Sequence, residues 1–208
     1  MENEAQSEAV PAGVFTLDVK YQDSYSRGEL LLRSFFGFLY IQIPHLFIMA
    51  FVNIWVGIIS FIAWWVILFT GRYPESFFEF QVKMIRWQLR LNARISNLSD
   101  GYPAIGPNGT DENTTVNVPY PASLSRGLLL ARTFFGFIYV VIPHGFMLLF
   151  RTLWGMILGF VAWWIILFTG RYPKSMFDFQ VGTIRWSIRL GLYLKNMTDD
   201  YPPFSGHA

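Results

Sequence analysis

SRGELLLRSFFGFLYIQIPHLF (Ser26–Phe47), FIAWWVILFTGRYPES (Phe61–Ser76) and FFEFQVKMIRWQLRL (Phe77–Leu91) belong to one unit that the chain contains twice. The second copy reads SRGLLLARTFFGFIYVVIPHGF (Ser125–Phe146), FVAWWIILFTGRYPKS (Phe160–Ser175) and MFDFQVGTIRWSIRL (Met176–Leu190), at a constant offset of 99 residues. Arg33 thus corresponds to Arg132, His45 to His144, Trp64 to Trp163, Arg72 to Arg171 and Trp87 to Trp186. The unit divides the 208 residues into a polar N-terminal segment (1–25), repeat 1 (26–103), a linker (104–124), repeat 2 (125–204) and a tail (205–208).

The unit has the composition of a membrane element. The chain is 53% hydrophobic and only 14% charged, against about 25% charged in soluble domains. Ser34–Thr70 has no charged residue, and Thr133–Thr169 has only Arg151. Both runs exceed the roughly 20 residues that cross a bilayer. Met1–Gly13 is acidic and polar and reads as a disordered tail, and its glutamates do not suit a signal peptide. The absence of cysteine excludes disulfides, thiolate metal sites and thiol catalysis.

A straight helix over Gly28–Thr70 would measure about 64 Å, twice the hydrocarbon thickness of about 30 Å. The expectation is therefore two spans per copy, Leu30–Ala50 and Ile54–Thr70, turning at Phe51-Val52-Asn53 and at Phe150-Arg151-Thr152. Pro44 and Pro143 would kink the first span. A rival placement leaves Arg27–Ile43 as a re-entrant or surface segment. Gly71 and Pro74 end the apolar run. Ser26 is an N-cap candidate, and Ser76 with Glu79, like Ser175 with Asp178, has the spacing of a capping box. Glu79, Lys83, Arg86, Arg90 and Arg94 form a charged stripe beside apolar Phe78, Val82, Ile85 and Leu89. Such a basic amphipathic helix suits a membrane surface. Val14–Tyr21 alternates like a short strand, with Thr115–Val118 as its possible partner.

The fold class that follows is all-α and membrane-embedded: two tandem parallel repeats, each a transmembrane hairpin followed by an amphipathic interfacial helix. The positive-inside rule places both termini of this multi-pass chain in the cytoplasm.

The candidate sites are few. Arg33, Arg72, Arg86, Arg132, Arg171 and Arg185 are candidates for anionic headgroups, because a guanidinium donates two parallel hydrogen bonds to phosphate. The alternative is snorkelling, or ion pairs with Glu79 and Asp178. Trp64, Trp65, Trp87, Trp163, Trp164 and Trp186 read as interfacial anchors. His45 and His144 read as parts of a Pro-His kink, with the imidazole bonded to freed carbonyls. A haem b between them, or a proton-carrying role, is the sharper alternative. Gly37 and Gly136 suit close helix packing, as do Gly155 and Gly159 in the second copy only. Asn97, Asn108, Asn113 and Asn196 begin Asn-x-Ser/Thr triplets. No catalytic motif, metal-ligand set or nucleic-acid-binding pattern is present.

Ile43-Pro44-His45, AWWVILFTGRYP (Ala63–Pro74), Phe80–Arg90 and the ending Tyr201-Pro202-Pro203-Phe204 resemble a family of bacterial membrane proteins, domain of unknown function 4389. The first copy departs from that ending, with Tyr102-Pro103-Ala104-Ile105. The resemblance implies a bacterial inner-membrane protein and no known reaction. The leading functional expectation is a non-catalytic accessory or scaffolding subunit, with other integral membrane subunits and anionic phospholipids as partners. A small lipid-binding or transport protein is the alternative, and a haem-binding electron-transfer subunit comes third.

Overall fold

The computed structural model describes residues 14–207. The tail expected over Met1–Gly13 lies outside them. Among the described residues the chain forms four helices and one small sheet, in the order β1 (Thr16–Val19), α1 (Arg27–Thr70), α2 (Glu75–Ile95), β2 (Thr114–Asn117), α3 (Arg126–Thr169) and α4 (Lys174–Leu194). The pattern repeats, as the sequence does.

The hairpins expected within each copy do not form. α1 and α3 are each 44 residues long and continuous, and Phe51-Val52-Asn53 lies well inside helix. Neither that tripeptide nor Phe150-Arg151-Thr152 contains a glycine or proline to break the ladder. The irregularity comes earlier. Phe38–Gln42 and Phe137–Val141 form π-helical turns, closed by bonds from the Ile43 and Ile142 N–H groups to the Phe38 and Phe137 carbonyls. The prolines follow directly and do not stop the helix. The N-cap expected at Ser26 does form, accepting from the Glu29 N–H, and Ser125 repeats it with the Leu128 N–H.

Gly71 and Gly170 end the long helices at φ 71°, a left-handed conformation that glycine adopts without side-chain strain. α2 and α4 then start without a capping box. Pro74 and Pro173 are the N-cap residues, and the Pro74 carbonyl accepts from Phe77 and Phe78. Ser76 and Ser175 already lie inside helix, two positions past the N-cap.

α2 runs back antiparallel along α1. Gln81 meets Ser60, Trp87 meets His45, and Asn97 meets Arg33. Phe80, Met84, Trp87 and Leu91 pack on the middle of α1. Phe78, Val82, Ile85 and Leu89 enter the main core with the sheet and the ends of the long helices. The apolar stripe of α2 therefore faces protein rather than lipid, which corrects its reading as a free interfacial helix. Its charged stripe divides: Glu79, Lys83 and Arg86 are exposed, whereas Arg90 and Arg94 are buried.

The two copies interlock. Strands β1 and β2 pair antiparallel, with Thr16 opposite Asn117 and Val19 opposite Thr114. Arg86 on α2 donates to the Val116 carbonyl of β2, and Arg185 on α4 to the Leu17 carbonyl of β1. The start of the first copy thus packs on the end of the second, and the reverse. Tyr25 N–H donates to the Gly170 carbonyl and Leu124 N–H to the Gly71 carbonyl. Trp64 donates to the Thr133 hydroxyl at 2.9 Å, and Trp163 to the Ser34 hydroxyl at 2.7 Å. A parallel repeat arrangement follows only from hairpins. With unbroken helices, α1 and α3 lie antiparallel and touch chiefly near their ends.

The segment between the copies is fastened by arginines. Arg90 donates to the Gly106 carbonyl, and Arg94 donates to both carboxylate oxygens of Asp111. Burial raises the Asp111 carboxyl, but hydrogen bonds from Arg94 and Thr114 outweigh it and hold it below the ordinary carboxylate range. Its stabilisation is full above the unfolded value of about 4 and is lost as pH falls through the lower folded value. Asp111→Asn leaves a buried guanidinium without its charge partner, an effect of about 3–5 kcal/mol. The variant should melt earlier than the parent in detergent at neutral pH, and thermal unfolding across pH should show a flatter acid limb.

Candidate functional site

The outer surface of the long helices is apolar and exposed. Phe35, Phe51 and Phe69 are 73%, 61% and 70% exposed, at the start, middle and end of α1. Phe134, Phe150 and Phe168 repeat them on α3 at 71%, 56% and 71%. An apolar face this continuous far exceeds what soluble monomers present. Trp65 and Trp164 lie on it and stack with Phe69 and Phe168. Trp64 and Trp163 instead tie the copies together, as described above.

Trp87 and Trp186 are not anchors. They are buried, and their indole N–H groups donate to Nδ1 of His45 and His144 at 2.8 and 2.9 Å. The expected bond from imidazole to a freed carbonyl is replaced by another device. Pro44 cannot supply the N–H that an uninterrupted α-helix would give to the Tyr40 carbonyl. The Tyr102 hydroxyl donates to that carbonyl at 3.1 Å, and Tyr201 donates to the Tyr139 carbonyl at 3.0 Å. The tyrosine of each repeat ending therefore repairs the proline of the same repeat. His144 also stacks on Phe204 at 4.0 Å between ring centres. Each histidine is enclosed within its own copy, and among the described residues no protein group bonds Nε2 of either. Among the described residues no cluster of three His, Cys, Asp or Glu side chains is placed to hold a metal ion.

The six arginines separate by burial. Arg33 is buried and bonds Asn97, Glu29, the Ser99 carbonyl and Asp100. Arg132 is buried and bonds the Tyr193 and Thr198 carbonyls and Asp199. Both are structural and unavailable to a headgroup. Their acidic partners are Glu29 and Asp100 for Arg33 and Asp199 for Arg132, not Glu79 and Asp178; Asp178 pairs with Lys174. Arg86 and Arg185 hold the sheet edges. Arg72 and Arg171 remain exposed beside the ends of the long helices, and no side-chain hydrogen bond occupies them among the described residues. Beside Arg171, a depression of about 480 Å³ is lined by Asp23, Ser24, Tyr25, Arg27, Thr169 and Gly170. There Arg27 donates to the Phe168 carbonyl, and its counterpart Arg126 to that of Phe69.

Two features were not singled out from the sequence. Asp100 and Asp199 each take a buried arginine and also accept from the N–H of Ser26 or Ser125. Their shared offset of 99 residues was the available signal. Gln81 is buried and donates to Ser60, whereas Gln180 donates to the Gly155 carbonyl at 2.6 Å. Gly155 and Gly159 thus make room for Gln180 rather than for a second long helix. Gly37 and Gly136 also mark no helix crossing, since a methyl there would meet only Arg33 or Arg132 of the same helix.

The profile of the family described as Domain of unknown function (DUF4389) matches residues 31–105 and 130–206. The chain belongs to this family, in two tandem copies. No curated protein and no solved structure shows significant similarity to it. The matched stretches contain the features built above: the π-turn, Pro-His, the Trp donor on the following helix and the Tyr-Pro ending.

Tyr201→Phe removes the donor to the Tyr139 carbonyl and should destabilise the detergent-solubilised protein by about 1–3 kcal/mol. Pro143→Ala restores a backbone N–H at that site. Combined with Tyr201→Phe it should recover part of the loss, which a double-mutant cycle of melting temperatures measures.

Proposed function

We propose that this member of the family is a non-catalytic accessory or scaffolding subunit of a larger bacterial inner-membrane complex. The reading rests on one observation: the aromatic outer surface of α1 and α3 is exposed along its whole length, while much of the buried polar machinery behind it is committed to internal bonds. Arg33, Arg132, Asp100, Asp199, Trp87 and Trp186 all act on the fold itself. Integral membrane partners and lipid are the surroundings that such a surface fits, because aromatic side chains supply large contact areas at little conformational cost.

Anionic phospholipid is the second reading, favoured by the uncommitted guanidinium groups of Arg72 and Arg171 at the helix ends. A lipid phosphate is a suitable acceptor for them. The two readings separate in one experiment. The tagged chain is extracted from bacterial membranes in mild detergent and examined by native mass spectrometry. A protein partner at fixed stoichiometry is the expected result. A lone chain carrying anionic lipid, lost in an Arg72→Gln/Arg171→Gln variant, would replace the first reading with the second.

A further inference from the structure

We propose that α1 and α3 do not cross the bilayer but lie within one leaflet, with α2, α4 and the sheet held against them on the headgroup side. The inference deepens the membrane reading above and rests on it. Four observations carry it.

The first is length. A helix of 44 residues measures about 66 Å, against a hydrocarbon core of about 30 Å. Fitting that length by tilt alone needs roughly 60°, beyond the 0–40° of spanning helices. A helix with its side chains is about 10–12 Å thick, which one leaflet of about 15 Å accommodates.

The second is the position of α2. It lies along α1 from Ser60 back to Arg33, exposing Glu79, Lys83 and Arg86 on the way. If α1 crossed the membrane, these charges would be carried into hydrocarbon with it, where charges are costly. With α1 in one leaflet, the same charges sit at the headgroups.

The third is Arg151, close to the midpoint of α3. It points at α4, donating to the Thr183 hydroxyl at 2.9 Å and lying 4.3 Å from the Phe179 ring centre. In a crossing helix this guanidinium would sit at mid-membrane. In a helix lying in a leaflet it faces α4 on the headgroup side. The fourth is that each long helix is fastened at its start to the turn after its own return helix and at its end to the entrance of the other long helix. Ser26 N–H bonds Asp100 and Gly71 bonds Leu124, and the second copy repeats both bonds.

The chain lacks cysteine, so single-cysteine variants need no background removal. Ser24→Cys and Ser76→Cys flank α1, Lys83→Cys lies on α2 and Asn53→Cys lies in the middle of α1; all four positions are exposed. Each full-length variant is treated with a membrane-impermeant maleimide in right-side-out and in inverted vesicles. The expected result is that positions 24, 76 and 83 react from one and the same side, and that position 53 reacts from neither until detergent is added. Reaction of positions 24 and 76 from opposite sides would overturn the inference, as would reaction of position 53 from the side opposite them. Either outcome leaves the membrane reading intact. Recovery of the parent chain in the soluble fraction, with position 53 reacting without detergent, would defeat the membrane reading and this inference together.

Discussion

A guanidinium buried in the base of each long helix needs a carboxylate, and the rest of the structure is arranged around that need. Arg33 finds Asp100 at 2.9 Å, and Arg132 finds Asp199. A buried arginine without its partner is strongly destabilising. The carboxylate comes 67 residues after the arginine, so the chain must travel out along the long helix and return to its beginning. α2 and α4 are the return paths. Their direction and their placement against the long helices follow from that closure. The same aspartates accept from Ser26 and Ser125, which fixes the helix entrance at the same point.

The repeat behaves as two halves that complete each other. Strand, tyrosine and helix entrance of one copy seal the far end of the other copy: Tyr21 donates to the Tyr172 carbonyl, and Tyr120 to that of Tyr73. The copies differ where a neighbour differs. Arg94 holds the linker in the first copy. Its counterpart Tyr193 instead lies under Arg132, 4.5 Å from its guanidinium carbon. Ser60 receives Gln81 in the first copy, and a glycine carbonyl receives Gln180 in the second. In each copy the glutamine amide donates to the long helix beside it, and the surroundings decide which acceptor it meets.

The molecule is thereby layered. Aromatic and aliphatic side chains cover the outside of α1 and α3. Behind them lie the two shorter helices, then the sheet and the arginine-fastened linker. Side chains that look chemically promising in sequence, such as the histidines and Arg33, belong to the internal joints. The groups left exposed include the apolar outer surface and the arginines at the helix ends, and the proposed association with lipid and membrane proteins rests on them.

Much of this was legible in the residues. The tandem repeat, the apolar runs, the N-cap at Ser26, the glycine stop at Gly71 and the apolar stripe of α2 follow from local pattern, because periodicity and capping act over a few residues. The continuity of α1 and α3 did not follow. Length against bilayer thickness suggested a turn, but nothing at Phe51-Val52-Asn53 favours leaving the helix, and the returning α2 packs along it without a break. The roles of Trp87, Trp186, Tyr102 and Tyr201 were likewise beyond local pattern. Each bonds a group 42 or 62 residues away, and a hydrogen bond across that distance is set by how the helices pack.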